Sequence, residues 1–386
     1  MSAKLKLMTI VGTRPEIIKM SETIKLSDEV FDHVLVHTGQ NYDYELNQVF
    51  FDDLGLREPD RYLGVVGTSL GETMGNILAK SYALMREVRP DALVVLGDTN
   101  SCLCVISAKR LKIPIFHMEA GNRCFDENLP EEVNRRIVDT VSDVNLCYSE
   151  HARRNLAAMG CDPARTFVVG SPMREVLSAH AEKIGASDVL DRLGLEKNGY
   201  ILLSAHREEN IDDECNFAEM VGAVNALAEE HGRPVLYSMH PRSRRFIEER
   251  GVEFHPLVRA HKPFGFCDYV QLQRNAFCVV SDSGTLAEES AILGFPAVSL
   301  RTSTERPEVV DRGVFTLGGI TAEGLIRAVV IEHALADRKA PVLDYADDNV
   351  STKVARIVQG YTGYVSRWVW GAGIPSSRVD GCNGSW

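Results

Sequence analysis

Three carboxylates in this sequence stand where a folded chain could turn them on one small molecule. Asp98 follows the apolar run Ala92–Leu96 through Gly97, Glu119 closes the run Ile113–Met118, and Glu131 follows Pro130 at the head of a helical stretch. Carboxylates gathered in one cleft raise one another's proton affinity, so that one can act as acid and another as base. Each also has an ordinary use. Asp98 can cap the helix after it. Glu131, beside Glu132, suits the positive end of a helix dipole.

Cationic and small residues recur at similar places. Gly12-Thr13-Arg14-Pro15 follows the run Leu5–Val11. There Gly12 reads as a tight turn, and Arg14 and Lys19 with a helix N-terminus could hold a phosphate. His206 ends Tyr200–Ala205, and His240 ends Pro234–Met239. Next to Arg207, His206 could face a diphosphate. Ser283 and Gly284 precede a helix expected over 285–293, where small residues leave backbone N–H groups open to phosphate oxygens. Glu288 and Glu289 on that helix could accept hydrogen bonds from ribose hydroxyls. Arg306, in Glu305-Arg306-Pro307-Glu308, also reads as half of a surface salt bridge.

Other chemistries lack their signatures. No GxGxxG and no GxxxxGK[ST] occurs, so no dinucleotide cofactor or Walker-type nucleotide site is expected. The nine cysteines are odd in number and lie mostly in apolar runs, which favours free thiols over a disulfide framework. His206, His240 and His261 are not at metal-ligand spacing, so no metal and no cofactor is expected. A net charge of −12, from 42 basic and 54 acidic residues, argues against broad binding to nucleic acid or anionic membrane. No run of 18 apolar residues predicts a membrane span. Met1-Ser2-Ala3-Lys4 opens no leader pattern, so a cytoplasmic location is expected.

The elements that must carry these residues are short apolar strands alternating with helices. That pattern predicts an α/β fold of parallel sheets covered on both faces, repeated in two doubly wound units. At 386 residues the chain has room for both. The predicted division is 1–173, carrying the three carboxylates, and 174–350, with a hinge around 170–198. A helix over 351–370 would pack back on the first unit, ahead of a loose Gly/Ser-rich tail over 371–386. In the helix expected over 71–89, Met74, Ile77, Leu78, Tyr82 and Met85 are assigned to one face. A strand over 254–258 is also weighed. Ligands of such sheets lie beyond the C-terminal strand ends, where Arg14, Asp98, Glu119, His206, His240 and Ser283 all fall.

These segments together resemble the non-hydrolysing UDP-N-acetylglucosamine 2-epimerase family from Val11 to about Trp370. The resemblance is carried by Gly12-Thr13-Arg14-Pro15-Glu16-Ile17-Ile18-Lys19, Gly97-Asp98-Thr99, His117-Met118-Glu119-Ala120-Gly121, Pro130-Glu131-Glu132-Val133-Asn134-Arg135, His206-Arg207-Glu208-Glu209-Asn210, Ser281-Asp282-Ser283-Gly284 and Glu305-Arg306-Pro307-Glu308. It implies two Rossmann-like domains facing across a cleft (the GT-B arrangement), a UDP-sugar between them, and a homodimer. Motif by motif, it makes Asp98, Glu119, Glu131 and His206 the catalytic group. It puts Arg14, Lys19, His240, Ser283, Gly284, Glu289 and Arg306 at the UDP-sugar. Within the family, the blocks His37–Leu46, Met118–Asp126 and Tyr361–Val365 resemble the UDP-N-acetyl-L-fucosamine synthase branch. That branch implies C2 inversion of UDP-2-acetamido-2,6-dideoxy-L-talose for a capsule or O-antigen. UDP-N-acetylglucosamine and a UDP-diacetamido uronic acid are the alternative substrates.

The family's chemistry is elimination and re-addition of UDP. A base removes the C2 proton as the C1–O bond breaks, giving a 2-acetamidoglycal. UDP then returns to C1 while a proton reaches C2 from the other face, so two proton-transfer groups are required. A GT-B glycosyltransferase using the same cleft is a rival, as is a non-catalytic UDP-sugar binding protein.

Overall fold

The computed structural model describes residues 4–39 and 44–372. The expected tail, most of the 371–386 stretch, lies outside the described residues. So does the middle of the block His37–Leu46.

The first sheet is built from β1 (Lys6–Val11), β2 (Asp32–His37), β3 (Arg61–Tyr62), β4 (Ala92–Leu96), β5 (Ile115–Met118), β6 (Val144–Cys147) and β7 (Thr166–Val168). Its strand order is β3-β2-β1-β4-β5-β6-β7, with every pairing parallel. The second sheet contains β8 (Ile201–Ser204), β9 (Val235–Ser238), β10 (Val258–His261), β11 (Cys278–Ser281), β12 (Ala297–Ser299) and β13 (Thr316–Leu317). Its order is β10-β9-β8-β11-β12-β13, again all parallel. The alternation of strands and helices predicted two doubly wound α/β sheets in one chain, and together they make the GT-B-type fold that the family resemblance implied.

Both sheets reverse direction once, between β1 and β4 and between β8 and β11. At such a switch point the connections leave to opposite sides and open a crevice beyond the strand ends. The loops at these crevices are Gly12–Thr13, Gly97–Thr99, Ala205–Arg207 and Asp282–Gly284.

The central strands are buried over nearly their whole length, so apolar residues run through them without alternation. One core cluster packs the helix Arg14–Val30, through Ile17, Met20 and Ile24, against Val350, Val354, Val358 and Val365 of the C-terminal helix Val350–Trp368. That last helix thus returns to the first sheet after the chain has built the second. The backbone N–H of Ser351 donates to Glu175 Oε2 at 2.8 Å and ties its start to the helix Met173–Ala179.

Two local expectations are corrected. In the helix Leu70–Val88 the buried face is Ile77, Ser81, Leu84 and Met85, while Tyr82 is exposed. Tyr82 lies five residues past Ile77, some 140° round the helix, whereas 81, 84 and 85 follow at four, seven and eight. The strand weighed at 254–258 begins only at Val258, because the Val258 N–H turns back onto the His255 carbonyl at 2.8 Å.

Candidate active site

The capping residues of the first helix also build the floor of the site. Thr13 is the N-cap of Arg14–Val30 and Glu16 completes the capping box. Glu16 Oε2 accepts from the Gly12 N–H (2.9 Å), the Thr13 N–H (2.7 Å) and Thr13 Oγ1 (2.9 Å). Its Oε1 accepts from Thr99 Oγ1 at 2.8 Å, so one carboxyl staples the loops after β1 and β4. Burial pushes its pKa up to about 7, against the pull of the Thr99, Gly12 and Thr13 hydrogen bonds. The sequence alone suggests a tight turn at Gly12. The structure needs it instead for closeness: a Cβ there would lie 1.9 Å from Ser101 Oγ and 2.1 Å from Thr38 Oγ1.

A cavity of about 450 Å³ opens between the two sheets. Asp98, Glu119 and Glu131 line it from the first unit, and His206, His240, Ser283, Gly284 and Arg306 from the second. A smaller cavity of about 90 Å³ adjoins it, with Pro15, His206, Ser283 and Thr285 in both walls. Its lining includes Arg14, Phe50, Phe264, Phe266, Tyr269 and Glu289. The candidate residues therefore divide into two groups. Arg14 and Glu289 belong to the small aromatic pocket, and the carboxylates to the larger one.

The three carboxylates are not equivalent. Glu119 follows β5 with φ +67°, a left-handed backbone for a residue with a side chain. Its Oε2 accepts from Lys19 Nζ at 2.8 Å and its Oε1 from Arg306 Nη2 at 2.6 Å. Burial alone would raise its pKa, but Lys19 and Arg306 overcome that and hold it down at about 2. The expectation that neighbouring carboxylates raise one another's proton affinity therefore fails at Glu119, because two buried cations occupy both of its oxygens. Asp98 does not cap a helix side-on; its Oδ2 pairs with Arg135 Nη2 at 2.6 Å, and 19% of its side chain remains exposed. Glu131 lines the cavity and makes no hydrogen bond or ion pair among the described residues. It and Arg135 are four apart on the helix Pro130–Val141 and so share its cavity face.

Arg306 is not the surface salt bridge that its charged turn suggests. It is only 1% exposed and lies at the meeting of the two units. Its Nη2 reaches Glu288 Oε1 at 2.8 Å as well as Glu119, and its Nε donates to Glu288 Oε1 at 3.1 Å. Lys19 Nζ lies 3.2 Å from the same Glu288 oxygen. Burial would lower the Lys19 pKa, but Glu119 and Glu288 more than offset it and the pKa is raised. Lys19, Glu119, Glu288 and Arg306 thus form a charge-balanced quartet with two members from each unit. Lys19 lines the large cavity while its ammonium is spent on these carboxylates. Glu288, expected to face a ribose, lines neither cavity; it also accepts from Ser171 Oγ. Only its neighbour Glu289 turns into the small pocket, where it accepts from Gln273 Nε2 at 2.5 Å, and burial raises its pKa.

On the second unit, Asp282 organises the loop after β8. Its carboxylate accepts from the His206 N–H (2.9 Å) and the Arg207 N–H (2.9 Å), and lies 3.2 Å from His206 Nδ1. The His206 and His240 rings stand 6.2 Å apart. Gly284 ends the β11 loop as N-cap of the helix Thr285–Leu293, and a Cβ there would lie 2.5 Å from Glu305 Oε1. Ser283 Oγ bonds Thr285 Oγ1 at 3.0 Å.

Sequence reading passed over Glu16, Arg135, Asp282 and Glu305. All four are buried; Glu16, Arg135 and Glu305 line the large cavity themselves, and Glu16, Arg135 and Asp282 hold the loops after β1, β4 and β8. Their signal was their place beside the motif residues already singled out, but neighbourhood along a chain does not tell which side chain points inward.

Two parallel sheets with their switch points facing across a shared cavity define the GT-B class of fold. Within that class, the profile of the UDP-N-acetylglucosamine 2-epimerase family matches residues 25–359. The chain is 44% identical to UDP-N-acetylglucosamine 2-epimerase from Rickettsia bellii, whose structure superposes with a TM-score of 0.88 over 95% of this chain and 100% of that one. UDP-GlcNAc 2-epimerase from Methanocaldococcus jannaschii, solved in complex with UDP-GlcNAc and UDP, is 31% identical, with a TM-score of 0.87 over 92% of this chain and 100% of that one. A UDP-2,3-diacetamido-2,3-dideoxy-D-glucuronate 2-epimerase from Pseudomonas aeruginosa is 32% identical over 361 residues, 91% of this chain and 98% of that protein. The chain belongs to the UDP-N-acetylglucosamine 2-epimerase family and is an enzyme of that kind. No helix among the described residues is long and apolar enough to cross a membrane.

Proposed function

We propose that this enzyme inverts C2 of a UDP-2-acetamido sugar by eliminating and re-adding UDP, with UDP-N-acetylglucosamine as the substrate. The observation that carries the reading is the joined pair of cavities. The small one offers aromatic walls for a uracil and Glu289 for a ribose. The seam between them brings His206, Ser283 and the N-terminus of Thr285–Leu293 to where a diphosphate would lie. The large one offers three carboxylates to the sugar. UDP-N-acetylglucosamine is preferred because the relatives from Rickettsia bellii and Methanocaldococcus jannaschii carry that name.

The geometry supports distinct roles. Glu131, without a protein partner, is the carboxylate able to take the C2 proton. Asp98, held by Arg135 and partly open to the cavity, serves the opposite face. Both oxygens of Glu119 are occupied by cations, so it stays ionised and acts as an anchored acceptor in the cavity wall rather than as the group that exchanges the C2 proton. His206, oriented by Asp282, and Arg14 stabilise the departing diphosphate, with His240 beside them. Lys19 and Arg306 hold Glu119 in place. Closing residues 1–173, with the C-terminal helix packed on them, against 174–350 would keep the glycal and UDP from water. The homodimer that the family resemblance implies belongs to the same proposal, and light scattering tests it.

A second substrate reading has an observation of its own. Leu70, 61% exposed, is an apolar side chain in the wall of the large cavity. A methyl at C5 suits it better than a hydroxymethyl, which fits UDP-2-acetamido-2,6-dideoxy-L-talose and the blocks Met118–Asp126 and Tyr361–Val365.

Proton NMR in deuterated water, with each UDP-sugar offered alone, decides between them. C2 deuteration and epimer formation from UDP-N-acetylglucosamine support the first reading. Turnover confined to the 6-deoxy-L-talo compound moves the assignment to UDP-N-acetyl-L-fucosamine synthesis, and turnover confined to the diacetamido uronic acid moves it to that substrate. No deuteration of any of them overturns the epimerase reading.

A further inference from the structure

Behind the cavity lies a buried pair that none of the roles above uses. His117, the penultimate residue of β5, and Asp139, on the helix Pro130–Val141, line neither cavity. We propose that His117 and Asp139 form a positioning brace that holds the loops of Asp98 and Glu119 in register for proton transfer, an inference that rests on the epimerase reading.

The contacts run in a chain from one carboxylate loop to the other. His117 Nε2 donates to the carbonyl of Gly97 at 2.8 Å, one residue ahead of Asp98. On the other side of the ring, Nδ1 stands 2.9 Å from Asp139 Oδ1, a polar contact not aimed along a hydrogen-bond line. The Asp139 carboxylate then accepts from the Gly121 N–H at 3.1 and 3.2 Å, two residues past Glu119. Arg123 Nη2 closes the chain on Asp139 Oδ2 at 2.6 Å. His117 and Asp139 are almost wholly removed from solvent.

The Glu119 loop needs such a brace. Its left-handed φ is a conformation that a side-chain-bearing residue keeps only where its surroundings hold it. Gly121, at φ +83°, is pressed so close to the helix Glu150–Ala158 that a Cβ would lie 2.3 Å from the Ala152 carbonyl oxygen. The loop is therefore clamped from outside by Ala152 and from inside by Asp139. His117 extends the inner clamp to Gly97, whose own N–H already donates to the Met118 carbonyl at 3.0 Å. Releasing the brace would let Asp98 and Glu119 drift relative to each other while leaving the nucleotide pocket untouched, since Phe264, Phe266, Tyr269 and Glu289 belong to the second unit and Arg14 and Phe50 to first-unit helices that the brace contacts do not include.

The test compares wild type with His117→Ala, His117→Gln and Asp139→Asn, reading kcat, KM, C2 deuteration and the Kd for UDP by calorimetry. A displacement near 1 Å at a reacting group costs about 10–100-fold in rate. The expected result is a loss of that size in kcat and in C2 deuteration for His117→Ala, with KM and the UDP Kd within about threefold of wild type. His117→Gln, whose amide can still donate to the Gly97 carbonyl, should recover a clear part of the loss. Should Asp139→Asn not fold, the two His117 variants decide. A His117→Ala enzyme with wild-type kcat overturns the brace, as does a loss shared equally by kcat and UDP affinity or a glutamine variant no better than alanine. A wild-type protein that exchanges no C2 hydrogen overturns the epimerase reading itself, which separates the two failures.

Discussion

Replacing Arg306 by methionine keeps much of the side chain's length and its packing on Tyr148, whose ring lies 5.5 Å from the guanidinium carbon, while removing the charge. Arg306 and Lys19 balance Glu119 and Glu288, and no side chain of the four is more than 9% exposed. The variant therefore leaves two buried carboxylates facing one ammonium. Breaking a buried ionic group by removing one partner costs about 3–5 kcal/mol. In a chain of this size that is a fall in Tm of roughly 4–6 °C, read by circular dichroism at pH 7.5. A second substitution sharpens the test. Glu288→Gln added to Arg306→Met restores the balance, leaving Lys19 with Glu119, and should return about 1–3 kcal/mol relative to the sum of the single effects. With one of its two cations gone, Glu119 should also bind a proton at higher pH than the wild type's value near 2. An Arg306→Met protein that melts within a degree of wild type, or a double variant whose losses simply add, would refute the charge-balance reasoning.

Glu131→Gln should lower C2 deuteration by about 10²–10⁴-fold while Tm and UDP affinity stay at wild-type values, since Glu131 holds no other residue; a matching fall in Tm would show a structural role instead. Glu16 gives a pH signature. Its folded pKa is raised by burial from 4.5 to about 7, so the folded state keeps a proton that the unfolded chain has already lost. Its contribution is fully present below pH 4.5 and lost as pH rises through about 7, roughly 3 kcal/mol in all. Urea unfolding between pH 5 and 8 should show that decline, flattened in Glu16→Gln. Gly12→Ala forces a Cβ into the Ser101–Thr38 hydroxyl pair and should cost about 1–3 kcal/mol from overpacking and most of the activity; a fully active, equally stable variant would refute the close-approach account.

Much of the fold was legible in the residues. The apolar runs that became β1, β4, β5, β8, β9 and β11 are central strands, buried on both faces, and their composition carries that burial directly. The two-residue strands Arg61–Tyr62 and Thr316–Leu317 were not legible, because they are edge strands paired on one side only and polar or half exposed. The Asp98, Glu119 and Glu131 motifs could be seen to stand at strand and helix ends, and a switch point draws such ends together whatever the intervening chain contains.

Orientation was another matter, and the adjacent acid pairs show it best. Glu131 and Glu132 look alike in sequence, as do Glu288 and Glu289. A helix turns about 100° per residue, so in each pair one carboxylate faces the cavities and the other is driven inward. Glu132 goes to Arg123 and Arg135, and Glu288 to Arg306 and Lys19. The amino-acid order dictated which types of group would gather at the cleft, because strand, helix and turn preferences act over a few residues. Which of those groups stay charged, which are spent on one another and which remain open to a substrate depends on partners brought from afar. Arg306 meets Glu119 across 187 positions of chain, and only the packing of one sheet against the other makes that contact.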